Sequence, residues 1–401
     1  MSKRDERISN AVSIGELQRR WALVRGRMRA AEIEALVVQG CNGYSGGGGH
    51  FRWITGMLAA NTYPQTVIFP IEGLMTHLHN GDRGAEHELG GSSTTYPGVG
   101  RRMTTPSFPG VCYTGSYDAE IVAREIKSRG FRTVGLVGPI GMYHGFAARL
   151  KELLEGITLV DATEAVDLIK AVKSAEDIAL IRRAAAMQDD IMSKVREHIR
   201  PGMKDFEVAA YAQYVGQLAG SETGYILCSS APAGQAATGK HKPYQGREIR
   251  QGDTFFFQAE NTGPGGFFVH LGRMFVLGKA TQELVDAFGA AVEAQHYTVK
   301  LLKPGAACTD IFAEYNAYMR ARGFPEERRL HCHSQGYEVV ERPLIRDDET
   351  MKIAGNMNIG IHAHPVTSRT RMTVTCTDNV LTGADGSAER LHRTPQQIFE
   401  L

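Results

Sequence analysis

Long apolar runs, paired cysteines and an excess of either charge are all missing from this 401-residue sequence. No run approaches the roughly 18 apolar residues of a membrane-spanning helix, so a membrane protein is not expected. The first ten residues are charged and polar, without the apolar segment of a secretory signal, which favours a cytoplasmic protein. Lys and Arg number 45 against 44 Asp and Glu, which gives no electrostatic reason to expect nucleic acid or an anionic membrane as partner. A small polar or zwitterionic substrate fits this balance better.

The cysteines exclude two further classes of protein. None of the six stands in a CxxC pair, and they are scattered over the whole chain: Cys41, Cys112, Cys228, Cys308, Cys332 and Cys376. Free thiols are therefore expected in place of a disulfide framework or a zinc–cysteine site.

Alternating strand and helix patterns predict an α/β domain in the first part of the chain. Helices are predicted over 14–31 and 116–128, and strands at 35–39, 66–69 and 133–137. The Gly-rich segment Gly43–His50 lacks both the Gly-Lys-Ser/Thr ending and the following helix pattern of a phosphate loop, so a flexible loop is expected there.

The chain changes character near residues 161–175. Ser174, followed by Glu176 and Asp177, has the pattern of a helix N-terminus. Strands follow, including Phe255–Phe257, which the apolar run predicts to be a core strand; helices are predicted at 281–302 and 309–322, and then strands to about 381. We therefore predict two domains, 1–165 and 166–401.

Six landmarks stand in a fixed order in the second domain: Leu168–Arg182, His241, Gly272–Arg273, Lys303–Ile311, His333–Gly336 and Thr377–Leu381. Over about 165–401 they resemble the creatinase / Xaa-Pro aminopeptidase superfamily (peptidase M24), whereas the first domain resembles it only in size and general pattern. The resemblance implies a C-terminal α/β domain of the pita-bread fold with its active site in a cleft. It also implies a smaller creatinase-type N-terminal α/β domain and a homodimer.

The family's peptidases hold two divalent metal ions with Asp, Asp, His, Glu and Glu. The resemblance assigns these five positions to neutral residues here: Gln258, His270, His333, His362 and Thr377. Two divalent cations without a bridging carboxylate would repel each other strongly in a cleft of low dielectric, so a two-metal centre is not expected.

A second assignment shifts two of these positions. Glu260 can replace Gln258, and His364 can replace His362. Glu260, His270, His333 and His362 would then form a site for one zinc, iron or manganese ion. Creatinase itself works without metal, so one divalent ion and none both remain open.

His241 stands where the resemblance places the acid–base histidine of creatinase, and an imidazole exchanges protons near pH 7. The alternative is a loop histidine bonded to backbone. Glu260, Glu338 and Glu341 are the candidate acidic partners, although such glutamates are more often solvated or salt-bridged than catalytic. Val340 occupies the position of the family's second cleft histidine.

Two residues are candidates for substrate binding: Tyr63, in the segment that approaches a partner's active site in creatinase, and Arg273, whose alternative role is structural. Asn61–Pro64 lacks the arginine with which creatinase grips its substrate, so creatine is not the expected substrate. Arg101 and Arg102 form a basic pair that either binds an anion or, like most surface charge pairs, has no specific role.

Four functions follow from the residues and the resemblance. The first is hydrolysis of a C–N bond in a small non-peptide molecule, as in creatinase and the ectoine hydrolases. The second is a one-metal enzyme such as a lyase, the third an Xaa-Pro peptidase, and the fourth a non-catalytic binding protein.

Overall fold

The computed structural model describes residues 12–40, 48–58, 63–365 and 372–401. These form two compact units, one within 12–170 and the other within 171–401. Most of the predicted Gly-rich loop lies outside the described residues, while its last residues, Gly49 and His50, begin a helix. None of the helices that the structure describes is both long and apolar enough to cross a membrane.

The first unit is a seven-stranded sheet with helices. Its strands are β1 (Ala35–Gly40), β2 (Gln65–Pro70), β3 (Met75–Asn80), β4 (Glu86–Glu88), β5 (Val99–Thr105), β6 (Thr133–Val137) and β7 (Thr158–Asp161), in the order β4-β5-β3-β2-β1-β6-β7. Its helices are α1 (Ile14–Ala30), α2 (Gly49–Thr55), α3 (Tyr117–Ser128), α4 (His144–Leu153) and α5 (Thr163–Lys170). On one face of the sheet, Leu78 and Met103 pack against Ala119 and Val122 of α3.

The second unit contains a nine-stranded sheet. Its helices are α6 (Ala175–His198), α7 (Asp205–Leu218), α8 (Gln282–Leu301) and α9 (Cys308–Ala321). Its strands are β8 (Gly224–Ala231), β9 (Thr254–Thr262), β10 (Phe268–Val276), β11 (Cys332–Ser334), β12 (Glu341–Leu344), β13 (Asn358–Ala363), β14 (Cys376–Thr382), β15 (Ala388–Arg390) and β16 (Phe399–Glu400). The main path runs β12-β11-β13-β14-β10-β9-β8, with β15 beside β14 and β16 beside β10.

Local sequence signals explain several of these elements. Ser174 begins α6 as predicted, because its hydroxyl accepts from the Asp177 amide at 3.1 Å and the Asp177 carboxylate accepts from the Ser174 amide at 3.0 Å. The predicted helices at 14–31, 281–302 and 309–322 correspond to α1, α8 and α9. The predicted core strand Phe255–Phe257 is buried within β9.

Candidate functional site

One face of the second sheet carries most of the predicted site residues. Successive side chains on a strand point to opposite faces, and Phe257 and Leu271 pack against α6 and α7. Gln258, Glu260 and His270 therefore lie on the other face, where Glu260 of β9 stands directly opposite His270 of β10. The same alternation adds further residues to this surface, which we call the site face: Gly272, His333, Gly360, His362, Thr377 and Asn379.

Three imidazoles form a cluster on the site face. The ring centroids of His270, His333 and His362 are 5.3, 5.5 and 5.2 Å apart in the pairs 270–333, 270–362 and 333–362. His364 extends the cluster, with its ring 5.6 Å from that of His362. The predicted ligand histidines are thus brought together from three different strands and the loop that follows β13.

Burial keeps these imidazoles neutral near pH 7. It lowers the pKa of His333 and of His364 to about 4, and the pKa values of His270 and His362 fall well below the ordinary value through burial and the neighbouring imidazoles. Nδ1 of His333 lies 2.9 Å from the Ser334 carbonyl oxygen, and Nδ1 of His364 lies 3.1 Å from the Val374 carbonyl oxygen. Each Nδ1 therefore carries a proton and donates, which leaves the lone pair on Nε2.

His270 is held by a hydrogen bond from its backbone amide, and its ring fits against a glycine. Its amide donates to Oδ1 of Asn379 at 2.8 Å, and its Nδ1 lies 3.5 Å from Nε2 of Gln335. Among the described residues its own Nε2 is buried without a hydrogen-bond partner. A Cβ atom added to Gly360 would come within 1.9 Å of that Nε2, so the ring occupies the space that only a glycine leaves open.

Replacing Gly360 with Ala is expected to displace the His270 imidazole and to destabilise the protein by about 1–3 kcal/mol, because overpacking a buried site forces side chains or backbone to move. A thermal melt should show a decrease in Tm of several degrees. Gly289 of α8 provides the matched control, since an added Cβ there has nothing within 4 Å. Combining Gly360→Ala with His270→Ala should recover part of the loss; an unchanged Tm in the single variant would contradict the packing argument.

Gln258 and Thr377, the first and last residues of the predicted metal set, belong to a neutral hydrogen-bond network. Oε1 of Gln258 accepts from the hydroxyls of Thr375 and Thr377, each at 3.0 Å, and these two hydroxyls lie 2.9 Å apart. All three side chains are buried. The amide therefore has its oxygen fully occupied by hydroxyl donors.

Glu260 is the carboxylate of the site face. Oε2 accepts from the Tyr225 hydroxyl at 2.7 Å, and Oε1 accepts from Nε2 of Gln258. Tyr225 of β8 stands opposite Glu260 in the β8–β9 register, and its ring centroid lies 5.1 Å from that of His241. His241 is exposed at the start of the short helix Lys242–Tyr244. The exposed histidine, the tyrosine and the half-buried carboxylate thus form a continuous array.

Tyr225 was missed by the sequence reasoning. Its strand, β8, was not among the predicted elements, although the segment from Tyr225 to Ala231 is apolar enough to have suggested a strand. Even then, the register with β9 that places Tyr225 beside Glu260 follows from strand pairing, which local sequence does not specify.

Glu341 lies in a buried ion pair. Its Oε2 is 3.0 Å from Nζ of Lys173, both side chains are buried, and its Oε1 accepts from the Glu338 amide at 3.2 Å. A buried charge of this kind is retained because its partner is present, and losing that partner is costly. This geometry fits a residue that anchors the segment 336–341 better than it fits the predicted catalytic role. Glu338 itself is half-buried on that segment.

The predicted substrate-binding role of Arg273 does not fit the structure. Its side chain is 0% exposed and lies on the face opposite to the site face, two residues before Phe275 of the core beneath α6. The guanidinium donates to the Thr377, Thr394 and Pro395 carbonyl oxygens and pairs with Asp378 at 2.8 Å. These bonds tie β10 to β14 and to the C-terminal segment, so Arg273 has a structural role.

Tyr63, the other predicted substrate-binding residue, belongs to the first unit. Its ring is partly exposed and meets Phe108 edge-on at 6.0 Å. Asn61 and Thr62, which precede it in the segment compared with creatinase, lie outside the described residues.

The residues of the site face do not fit a two-metal centre. Of the five positions expected to bind metal and their alternatives, Glu260 alone is acidic, and two divalent ions need carboxylates to bridge them. Within the described part of the chain, no group of three or more His, Cys, Asp or Glu side chains is arranged to hold a metal ion. Glu260 already accepts two hydrogen bonds, and His270 directs Nε2 at the Gly360 backbone.

Comparison with known proteins gives a consistent picture of the family. Residues 179–383 match the model of metallopeptidase family M24. The chain is 24% identical over 202 residues to a probable dipeptidase PepE of Mycobacterium bovis, which covers 50% of this chain and 52% of that protein. It is 27% identical over 196 residues to creatinase of a Bacillus species, covering 47% of each. The chain thus spans about half the length of these curated relatives.

A solved structure extends the similarity to nearly the whole chain. Xaa-Pro dipeptidase from Bacillus anthracis superimposes with a TM-score of 0.76 at 15% identity, covering 96% of this chain and 100% of that one. Such a likeness at low identity concerns the fold alone. It confirms the predicted α/β architecture, a pita-bread domain preceded by a smaller α/β domain.

Proposed function

Because the chain belongs to metallopeptidase family M24, we propose that it is a hydrolase of this family that cleaves a C–N bond in a small non-peptide substrate, with His241 as acid and base. The observation that carries the proposal is the array of His241, Tyr225 and Glu260 beside a site face without bridging carboxylates. Proton transfer, which needs an imidazole and an oriented carboxylate, is the chemistry that this arrangement supports.

Each member of the array has a distinct part in the proposal. Tyr225 and Gln258 both donate to Glu260, and these two hydrogen bonds fix the orientation of its carboxylate. The half-buried Glu260 carboxylate then orients a water molecule or an N–H group of the substrate. His241, exposed and next to Tyr225, takes a proton from water as its oxygen bonds to carbon, and gives a proton to the departing nitrogen.

The neutral imidazoles and the Gln258–Thr377 pair define the surroundings of that reaction. Because burial keeps His333 and His364 unprotonated at pH 7, these imidazoles add no positive charge to the site face beside the acidic side chain of Glu260. A substrate with a positively charged or N–H-rich group is therefore favoured over one with a carboxylate at the same position. Glu338 remains a candidate partner on the segment that Glu341 anchors.

A hydrolysis assay without added metal tests the proposal. We expect release of amine or ammonia from at least one member of a panel of ureas, guanidines, lactams and cyclic amidines, with the rate unchanged by a chelator. His241→Asn should lower kcat by about 10²–10⁴, the usual contribution of a general acid–base group. His296→Asn, at an exposed histidine of α8, is the control for handling and folding. Turnover of Xaa-Pro dipeptides alone, and only with divalent metal, would refute the proposal.

The competing hypothesis is the predicted one-metal enzyme with Glu260, His270, His333 and His362 as ligands. Its support is the spacing of the three rings, together with the bond from Nδ1 of His333 to a carbonyl oxygen, which metal-binding histidines commonly make. Elemental analysis of protein purified without added metal separates the two. One equivalent of iron, zinc or manganese, lost in His270→Ala, would favour the metal enzyme; none, with activity retained, supports the metal-independent hydrolase.

The proposed homodimer follows from the family resemblance. Light scattering of the purified full chain, with an expected mass of twice 43.9 kDa, tests it directly.

A further inference from the structure

Two adjacent arginines of the first unit lie on opposite faces of its sheet. Along β5, Arg101 and Arg102 alternate as strand residues do. Arg102 stands between His77 of β3 and His87 of β4 in the strand register. Arg101 stands in the neighbouring row, on the face that packs against α3. The two guanidinium groups therefore have different surroundings.

Arg101 is neutralised by carboxylates. Its guanidinium pairs with Glu125 of α3 and lies 3.7 Å from Glu86 of β4. Glu125 also accepts from the Thr76 hydroxyl at 2.9 Å. This arginine is part of a saturated structural network and needs no external anion.

Arg102 is held rigidly but without a carboxylate. Its Nε donates to Nε2 of His79, and its guanidinium carbon lies 4.9 Å from the centre of the Tyr96 ring. The His79 ring stacks on that of His77 at 5.5 Å, which fixes the acceptor in turn. Among the residues that the structure describes, no Asp or Glu pairs with Arg102, so the two terminal nitrogens of the fork carry an uncompensated charge.

His77 and His79 do not share that charge. Burial lowers the pKa of His77 to about 3, and burial and the Arg102 charge lower the pKa of His79. Nε2 of His77 lies 3.0 Å from Oε1 of Gln65, whereas its buried Nδ1 has no hydrogen-bond partner within the described ranges. Because Gln65 donates its Nε2 to the Leu58 carbonyl oxygen, its Oε1 accepts from His77 Nε2, and Nδ1 of His77 is left as an acceptor that cannot bind an anion. The fixed cation of Arg102 is therefore the group of this cluster that attracts an anion.

We propose that Arg102, positioned by His79 and Tyr96, forms a binding site for a small oxyanion, either a carboxylate or a phosphate. The Nε of this guanidinium is bonded to His79 and its planar face lies on the Tyr96 ring. Its two terminal nitrogens therefore form a preorganised fork, which matches two oxygens of such an anion. All of these residues belong to the first unit, and none of them takes part in the proposed hydrolase chemistry.

Calorimetric titration of the full-length protein tests the site. Inorganic phosphate and malonate are titrated separately at constant ionic strength and at pH 8, where free imidazole is neutral. Wild-type protein should bind at least one of them with a Kd in the range of about 0.1–5 mM, since one forked ion pair provides only a few kcal/mol. A response to phosphate alone, or to malonate alone, identifies which of the two sources of oxyanion the site accepts.

Variants of the two arginines provide the matched comparison. Arg102→Gln should weaken binding about tenfold or more, and Arg102→Lys, which keeps the charge but loses the fork, about fivefold. Arg101→Gln, which removes the same charge from the other face, should leave the Kd within about twofold. Should Arg102→Gln not fold, Arg102→Lys and His79→Phe provide the same test. The proposal fails if wild-type protein binds neither anion at about 20 mM, or if the variants at positions 101 and 102 weaken binding equally.

Discussion

Lowering the pH from 7 to 5 is expected to unfold this protein, with a loss of several kcal/mol in the free energy of unfolding. A group of buried histidines is neutral in the folded state, and burial is the first cause of each lowered pKa: His77, His270, His331, His333, His362, His364 and His392. In the unfolded chain each imidazole binds a proton near pH 6.5.

The sign of the effect follows from this difference in proton binding. Between about pH 6.5 and pH 4 the unfolded state binds more protons than the folded state, so the free energy of unfolding falls as the pH falls. Each such imidazole contributes up to about 1.4 kcal/mol per pH unit. Together, several such imidazoles can cancel a large part of the roughly 5–15 kcal/mol by which a typical domain is stable.

Urea denaturation followed by circular dichroism, on chelator-treated protein at pH 7, 6 and 5, measures this dependence. His331→Phe is the matched variant, because His331 is fully buried and its ring stacks on Tyr315 at 3.5 Å, a contact that phenylalanine can keep. It should reduce the slope of the free energy of unfolding against pH by the contribution of about one proton. A free energy of unfolding that stays constant between pH 7 and 5 would show that these imidazoles are not buried as described.

Glu260→Gln is expected to lower kcat for the substrate identified in the screen by about 10²–10⁴, with a smaller effect on KM. The amide keeps the shape of the side chain but removes the charge that Tyr225 and Gln258 stabilise. Tyr225→Phe should produce a smaller loss, because it removes one donor from the carboxylate and leaves the charge in place.

Steady-state kinetics across pH 5.5–9 distinguish this role from a structural one. If Tyr225 and Glu260 position His241, both variants should shift the pH dependence of kcat/KM as well as its height. Glu389→Gln, at an exposed residue paired with Arg182, is the control that should leave the kinetics unchanged. Equal kcat values for Glu260→Gln and wild-type protein would remove Glu260 from the proposed mechanism.

The family pattern indicates which histidines lie together, whereas the surroundings of each side chain depend on strand pairing. The spacing of the landmarks placed His270, His333 and His362 in one cluster, and their rings do meet. The same spacing could not show that Arg273 points away from the site face or that Glu341 is paired with Lys173. It also could not show that His270 rests on Gly360.

The amino-acid sequence alone determined the α/β class and the N-terminus of α6 at Ser174, because these depend on residue type, local spacing and periodicity. The five neutral positions of the expected metal set came from the family resemblance. Only the tertiary structure decided which side chains lie together. Tyr225, His241 and Glu260 come from β8, the loop after it and β9, and their contact depends on the register of two paired strands. The different surroundings of Arg101 and Arg102 likewise follow from which strands flank β5. Pairing between strands distant in sequence is set by the burial of whole faces, which no local stretch of residues specifies.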